Sequence, residues 1–182
     1  HCHLELSHMK GDIPEASGLP GFIMNIRNRR DMNEGDPEVL KEAEKQLAAE
    51  GIVLCGDICN NASTFSIKKN SPVAWHSFIE VFGIDPAKAG KRISEALRIA
   101  EEARNYGISY SITPHSLYSV SVPLLRLLRE LTGKNPVTSI HFMESGSEKQ
   151  FLKDNTGPLK DSYESSGLLT DDIMTPAGHA EG

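Results

Sequence analysis

The sequence predicts an α/β fold, a parallel (β/α) barrel of the TIM type, of which residues 1–182 would form a partial barrel of about five βα units. Short continuous apolar runs, typical of strands covered on both faces, alternate with capped helices at intervals of about 25–30 residues. Polar residues follow several of these runs, where a barrel would bring them to one mouth. No Gly-rich phosphate loop follows any strand, which weighs against the alternative, a doubly wound sheet.

Helix caps and apolar periods define the individual elements. Asp36 is the predicted N-cap of the first clear helix, with Pro37 in the first turn and Gly51 as the stop. Residues 22–30 form a weaker helical segment. The predicted strands are 52–55, 77–82, 108–113 and 136–140, and further helices begin at Asp85-Pro86 (ending at Gly107), at Ser121 (ending at Gly133) and after Ser145.

Composition bounds the class of protein and its partners. A chain of 182 residues has room for one domain with a substantial core. The net charge of −6 argues against a nucleic-acid partner. No run reaches the roughly 18 apolar residues of a membrane span. The three cysteines do not suggest a disulfide framework, and Cys55 and Cys59 are expected in a buried strand end rather than at a metal. Together these features predict a cytoplasmic location.

Three histidines and one glutamate have the pattern of a hydrolytic metal site. His1 and His3 alternate along a strand, so both imidazoles point to the same side and can share one cation. His141, after a separate apolar run, can supply a third nitrogen. Glu144, three residues further on, can take a proton from a metal-activated water and pass it to a leaving group. Spacing alone leaves open the alternative of three unrelated histidines and a surface glutamate.

Other polar residues are weaker candidates. Glu80, late in a strand and turned toward a barrel mouth, is predicted to contact substrate or to support the site. Glu5 either touches substrate or orders its loop, and Asp57 is expected to cap the segment after its strand. His179 lies in an A-G-H-A-E-G setting that is not a buried strand, so it is predicted to be a loop histidine.

Three sequence stretches carry a resemblance to a known family. They are H-C-H-L-E-L-S at 1–7, P-H-S-L-Y-S-V-S at 114–121 and H-F-M-E-S at 141–145. In this order they resemble the amidohydrolase superfamily, and within it the branch of cytosine, guanine, S-adenosylhomocysteine and aminodeoxyfutalosine deaminases and triazine chlorohydrolases. The similarity runs from His1 to about Phe151.

The resemblance implies a role for each matching position. His1 and His3 would be metal ligands at the end of the first barrel strand, and His141 the ligand of the fifth. His115 would contact substrate after the fourth strand, and Glu144 would be the proton shuttle. No lysine near His115 could bridge two metals, so the family analogy implies one divalent ion, zinc or iron.

The resemblance also implies a function and an extent. We expect a metal-dependent hydrolase, a deaminase of an adenine-type or related nitrogen heterocycle. The alternatives are other chemistry of the same family (a chlorohydrolase or cyclic amide hydrolysis) and an inactive metal-binding fragment. A substrate-orienting His of the sixth strand and a metal-binding Asp of the eighth are expected beyond Gly182. Residues 1–182 would then be a fragment of the catalytic barrel, strands one to five, without the flanking β-sandwich. Its open sheet edges would favour homo-oligomers.

Overall fold

The computed structural model describes residues 1–30, 35–133, 135 and 137–168. His179 and Pro136 lie outside these ranges. Two 3₁₀ helices cover Leu4–Met9 and Pro86–Lys88. The remaining elements, in chain order, are α1 Gly18–Arg30, α2 Pro37–Ala49, β1 Leu54–Cys59, α3 Phe65–Lys69, β2 Ala74–Val81, α4 Ala89–Tyr106, β3 Ser109–Pro114, α5 Val122–Thr132, α6 Gly146–Asp154 and α7 Pro158–Ser165.

The strands form a parallel sheet with helices between them, which confirms the α/β class. The order is β1-β2-β3, with Ile58 opposite Phe78 and Glu80 opposite Thr113. Isolated parallel bridges extend this order on both sides, from Cys2 to Asp57 and from Ser116 to His141. The first and fifth segments of the predicted barrel are therefore each joined by a single bridge in place of a strand ladder, and a barrel of five units stays a prediction.

Two predicted strands differ from the structure. The apolar run 52–55 predicts a strand covered on both faces, but β1 begins at Leu54, and Val53 and Leu54 are 77% and 69% exposed. That burial prediction is wrong because the covered part of β1 starts only at Cys55, where Leu4 and Trp75 pack. Residues 137–140 form no strand, and the next residue makes one isolated bridge, in which the His141 N–H donates to the His115 carbonyl just after β3.

Local chemistry sets the helix ends as predicted. The Asp36, Ser121 and Ser145 side chains each accept a hydrogen bond from a backbone N–H in the first turn of α2, α5 and α6. Gly107 ends α4 in the left-handed conformation at φ 72°. None of the helices in the described ranges combines the length and apolar character that a bilayer crossing requires.

The sheet has two faces with different roles. Ile79 and Ile112 pack with Ala96, Ile99 and Leu124 of α4 and α5, so alternate strand residues face the helices; this side is called the helix face. The other residues, which include Gly56, His76, Phe78, Glu80 and Thr113, lie on the opposite side, called the inner face. A second core, with Tyr118 and Phe151, forms around α6 and α7, and a third joins Leu4 to β1 and α2.

Candidate active site

The H-x-H segment lies beside β1 with its side chains on alternate sides. Cys2 donates its N–H to the Gly56 carbonyl (3.0 Å) and accepts from the Ile58 N–H (2.9 Å). Its thiol donates to Asp57 Oδ1 (3.2 Å), and burial followed by the charge of Asp57 raises the Cys2 pKa, which keeps the thiol a donor. The flanking His1 and His3 project away from Cys2, with ring centres 5.9 Å apart.

His141 joins these two histidines from the far side of the sheet. Its ring centre lies 6.1 Å from that of His1 and 5.5 Å from that of His3. Imidazoles that bind one zinc ion through nitrogens about 2.0–2.1 Å away have ring centres roughly 5–6 Å apart. Residues separated by about 140 positions in the chain thus bring their ring centres within 5.5–6.1 Å of one another.

Glu80 and His115 lie against the same group. Glu80 is 8% exposed and places Oε1 3.3 Å from His141 Nε2, while its Oε2 accepts from Asn60 Nδ2 at 3.2 Å. The His115 ring centre is 5.1 Å from that of His141, and His115 Nδ1 lies 2.6 Å from Ser119 Oγ. One ligand atom each from Glu80, His115 and His141 lies within 4.8 Å of the other two, which makes these residues a second set of donors. The sequence assigned Glu80 and His115 to substrate and His141 to the metal.

Glu144 is turned back toward His141 by an unusual backbone. Met143 adopts φ 56°, a left-handed conformation that costs energy for a residue with a side chain. Glu144 Oε1 then lies 2.9 Å from His141 Nδ1. The Glu144 N–H donates to Oε2 of the buried Glu148 at 2.7 Å, and Ser145 Oγ accepts from the Glu148 N–H at 3.1 Å. The sequence reasoning missed Glu148, although S-x-x-E at 145–148 is the capping-box pattern.

The charges of the site favour an ionised glutamate beside a protonated imidazole. Burial alone would raise the pKa of Glu80, but the hydrogen bond with His141 and the positive charge of His115 bring it below its ordinary value. The hydrogen bond to Glu80 raises the pKa of His141, against the lowering effect of burial. The same carboxylate that stabilises a proton on His141 would stabilise a cation in its place.

Two further acids, Glu5 and Asp57, are buried near the site. Glu5 is 4% exposed, and its Oε2 accepts from the N–H groups of Asn60 and Asn61 at 2.9 and 3.3 Å, so it orders the loop after β1. The sequence suggested that Asp57 caps the segment after its strand, and the structure shows that it does not. It lies inside β1 on the helix face, where its carboxylate pairs with Lys68.

The donor types fit a divalent ion. Neutral imidazole nitrogens with one carboxylate are the set that zinc and iron take in hydrolytic and oxidative sites, whereas magnesium and calcium prefer oxygen. His1, His3 and His141 could hold the ion as predicted. Glu80, His115 and His141 form the alternative set, and His141 belongs to both.

Comparisons with known proteins agree with the motifs. No family model matches the chain. Aminodeoxyfutalosine deaminase of a Nitratiruptor species is 25% identical over 162 residues, which cover 86% of this chain and 40% of that protein. This relative confirms the resemblance to the deaminase branch of the amidohydrolase superfamily that the three stretches predicted.

Solved structures of a deaminase share the fold. Helicobacter pylori aminofutalosine deaminase in complex with methylthio-coformycin has a TM-score of 0.78 at 19% identity, with 97% of this chain and 43% of that chain covered. A second structure of the same enzyme has a TM-score of 0.75 at 18% identity and covers 97% and 42%. The chain therefore spans less than half the length of these relatives.

Proposed function

We propose that this chain is the histidine-bearing part of a metal-dependent deaminase that acts on an adenine-type base in a small nucleoside-like substrate. The observation that carries the proposal is the meeting of His1, His3 and His141, with Glu144 hydrogen-bonded to His141. The names of the relatives support a deaminase, and the methylthio-coformycin complex supports a nucleoside-like ligand for that fold.

The proposal includes a partial (β/α) barrel. The parallel order β1-β2-β3, with one bridge on each side, supports the arrangement of the first five strands around a common mouth. The remaining barrel strands, with a substrate-orienting His and a metal-binding Asp, would lie outside residues 1–182. Homo-oligomers through open sheet edges and a cytoplasmic location remain predictions.

Each residue has a proposed role in the reaction. A divalent ion, zinc in the first instance and iron as the alternative, would lower the pKa of a coordinated water toward neutrality. Glu144 accepts the proton of the attacking water and returns it to the departing amine. The hydrogen bond from His141 and the backbone contact with Glu148 hold Glu144 in place for both transfers. His115 and Glu80 would bind polar atoms of the substrate ring, so that ammonia leaves a fixed ring carbon.

The central test replaces Glu144 by Gln. The amide keeps the size of the side chain but cannot accept the proton, so turnover should fall by about 10²–10⁴ while metal content stays nearly unchanged. The exposed Glu101 of α4, changed to Gln, is the matched control. Ammonia release is measured with a panel of adenosine analogues, on residues 1–182 and on the full-length gene product. An unaltered rate would refute the proton-shuttle role, and no ammonia from any analogue would refute the deaminase.

The two donor sets make opposite predictions for metal content. If His1 and His3 are ligands, changing both to Gln should abolish stoichiometric zinc, whereas His115→Gln should retain it. The reverse result would place the ion among Glu80, His115 and His141, and His115 would then not be a substrate contact. Metal is measured by elemental analysis after the unbound ion has been removed by dialysis.

An inactive metal-binding fragment is the second candidate, because the chain covers only 40–43% of its relatives. Stoichiometric metal together with turnover in residues 1–182 would refute it. Chlorohydrolase or cyclic amide chemistry would show in the same assays as halide release or ring opening without ammonia.

A further inference from the structure

A charged pair is buried on the helix face of the sheet, directly behind the histidine segment. Lys68 Nζ lies 2.5 Å from Asp57 Oδ2, and both side chains are 0% exposed. The ammonium also donates to Ser77 Oγ at 2.8 Å and lies 5.3 Å from the centre of the Phe65 ring. Removing two charges from water is expensive, and apolar residues of similar size often replace such a pair without loss of stability. A role besides stability would explain this pair.

The second oxygen of Asp57 contacts the segment that carries the histidines. Asp57 Oδ1 accepts the Leu4 N–H at 2.7 Å and the Cys2 thiol at 3.2 Å. These donors belong to the two residues on either side of His3. Lys68 holds one carboxylate oxygen, so the other is fixed in direction toward Leu4 and Cys2.

The histidine segment also bonds to β1 through its own backbone. In the described part of the chain, residues 1–3 bond to β1 through the N–H and the carbonyl of Cys2, and their bridge to the strand is a single pair. The His3 carbonyl accepts the Leu6 N–H at 3.0 Å in the turn that follows. The bond from the Leu4 N–H fixes the chain immediately after His3.

We propose that Asp57, oriented by Lys68, is a positioning residue that holds His1 and His3 on the inner face for metal binding. This inference rests on the proposed function. In this role Asp57 acts through the backbone from which both rings project, which it holds at Leu4. Outer contacts of this kind typically change metal affinity by about 10–100-fold.

The test compares two double variants that both remove the buried charges. Asp57→Asn with Lys68→Met retains an oxygen that accepts from the Leu4 N–H, whereas Asp57→Leu with Lys68→Met does not. The first (the Asn/Met variant) should bind zinc with an affinity within about threefold of that of the unaltered protein. The second (the Leu/Met variant) should bind zinc about 10–100-fold more weakly. Zinc affinity is measured by competition with a chromophoric chelator. Leu128→Ala, in the core of α5, is the control for lost stability and should leave zinc affinity unchanged.

Hydrogen exchange of the zinc-free protein provides a second readout. The peptide that covers residues 1–9 should exchange faster in the Leu/Met variant than in the Asn/Met variant. Equal zinc affinity and equal exchange in the two variants would overturn the proposal. If the Leu/Met variant does not fold, hydrogen exchange of the unaltered protein is followed by NMR. A Leu4 amide that is protected from exchange supports the proposal, and an unprotected one overturns it. Absence of zinc from the unaltered protein would instead refute the proposed metal site, while exchange still tests whether Asp57 fixes the segment.

Discussion

Replacement of Glu148 by Ala tests how the backbone of Glu144 is held. Glu148 is fully buried at the third position of α6, and its carboxylate accepts the Glu144 N–H at 2.7 Å. Alanine removes this acceptor, so the Glu144 N–H loses its hydrogen bond to residue 148. The change therefore affects the candidate proton shuttle without altering its side chain.

The expected loss follows from that one contact. A hydrogen bond to a charged group contributes about 1.5–3 kcal/mol, and a neutral one about 0.5–1.5 kcal/mol. For a chain of this size, each kcal/mol lowers Tm by about 2–4 °C. Glu148→Ala should therefore lower Tm by roughly 3–12 °C, and the cavity that it leaves adds to this loss. Glu148→Gln, whose amide oxygen can still accept, should lower Tm by roughly 2–4 °C.

Thermal unfolding followed by circular dichroism measures both variants, with Glu101→Ala on the exposed side of α4 as the control. A surface change of that kind alters stability by at most about 0.5 kcal/mol. Turnover in the full-length protein should fall further in the Ala variant than in the Gln variant, because only Ala frees the Glu144 backbone. A Tm for Glu148→Ala within about 1 °C of the control would refute the reasoning.

Three further predictions concern single groups. Ser121→Ala should destabilise the protein by about 1 kcal/mol in urea unfolding, because the first turn of α5 loses its cap. Gly107→Ala should cost about 1–2 kcal/mol from backbone strain alone, since the added Cβ would meet no heavy atom of the described residues beyond its chain neighbours within 4 Å. An unchanged urea midpoint would contradict this. In the zinc-free protein, the contribution of Glu80 to the free energy of unfolding should be lost as the pH falls through its lowered pKa. The contribution of His141 should be lost as the pH rises through its raised pKa. The difference in stability between the unaltered protein and Glu80→Gln should thus be largest at pH values between these two pKa values. A difference that does not change with pH would refute the ion pair of Glu80 with His141.

Local rules account for what the sequence predicted well. The caps at Asp36 and Ser121 and the stop at Gly107 depend on side chains within three residues, so the sequence alone defines them. His1, His3 and His141 approach one another on two segments that each bridge in parallel to the sheet region, at Asp57 and at Ser116. Their roles as ligands remain predictions.

Contacts between distant residues account for what the sequence did not predict. Lys68 stands next to Lys69 in a short helix, a setting typical of a solvated surface residue, yet its side chain is fully buried against Asp57. Whether a strand residue faces helices or the inner face depends on register, and register depends on neighbours that the sequence does not identify. The same limit explains why β1 begins two residues later than its apolar run suggests.

Register also explains why the segment at the front of the chain needs an anchor. Side chains alternate along a strand, so a slip of one residue would turn Cys2 toward the inner face and move both imidazoles away from it. In the observed register the Cys2 thiol and the Leu4 N–H share one oxygen of Asp57. A slipped segment would lose both contacts and would leave a carboxylate oxygen buried without these donors, which is costly. The buried pair on the helix face therefore opposes the slipped register of the segment that carries His1 and His3.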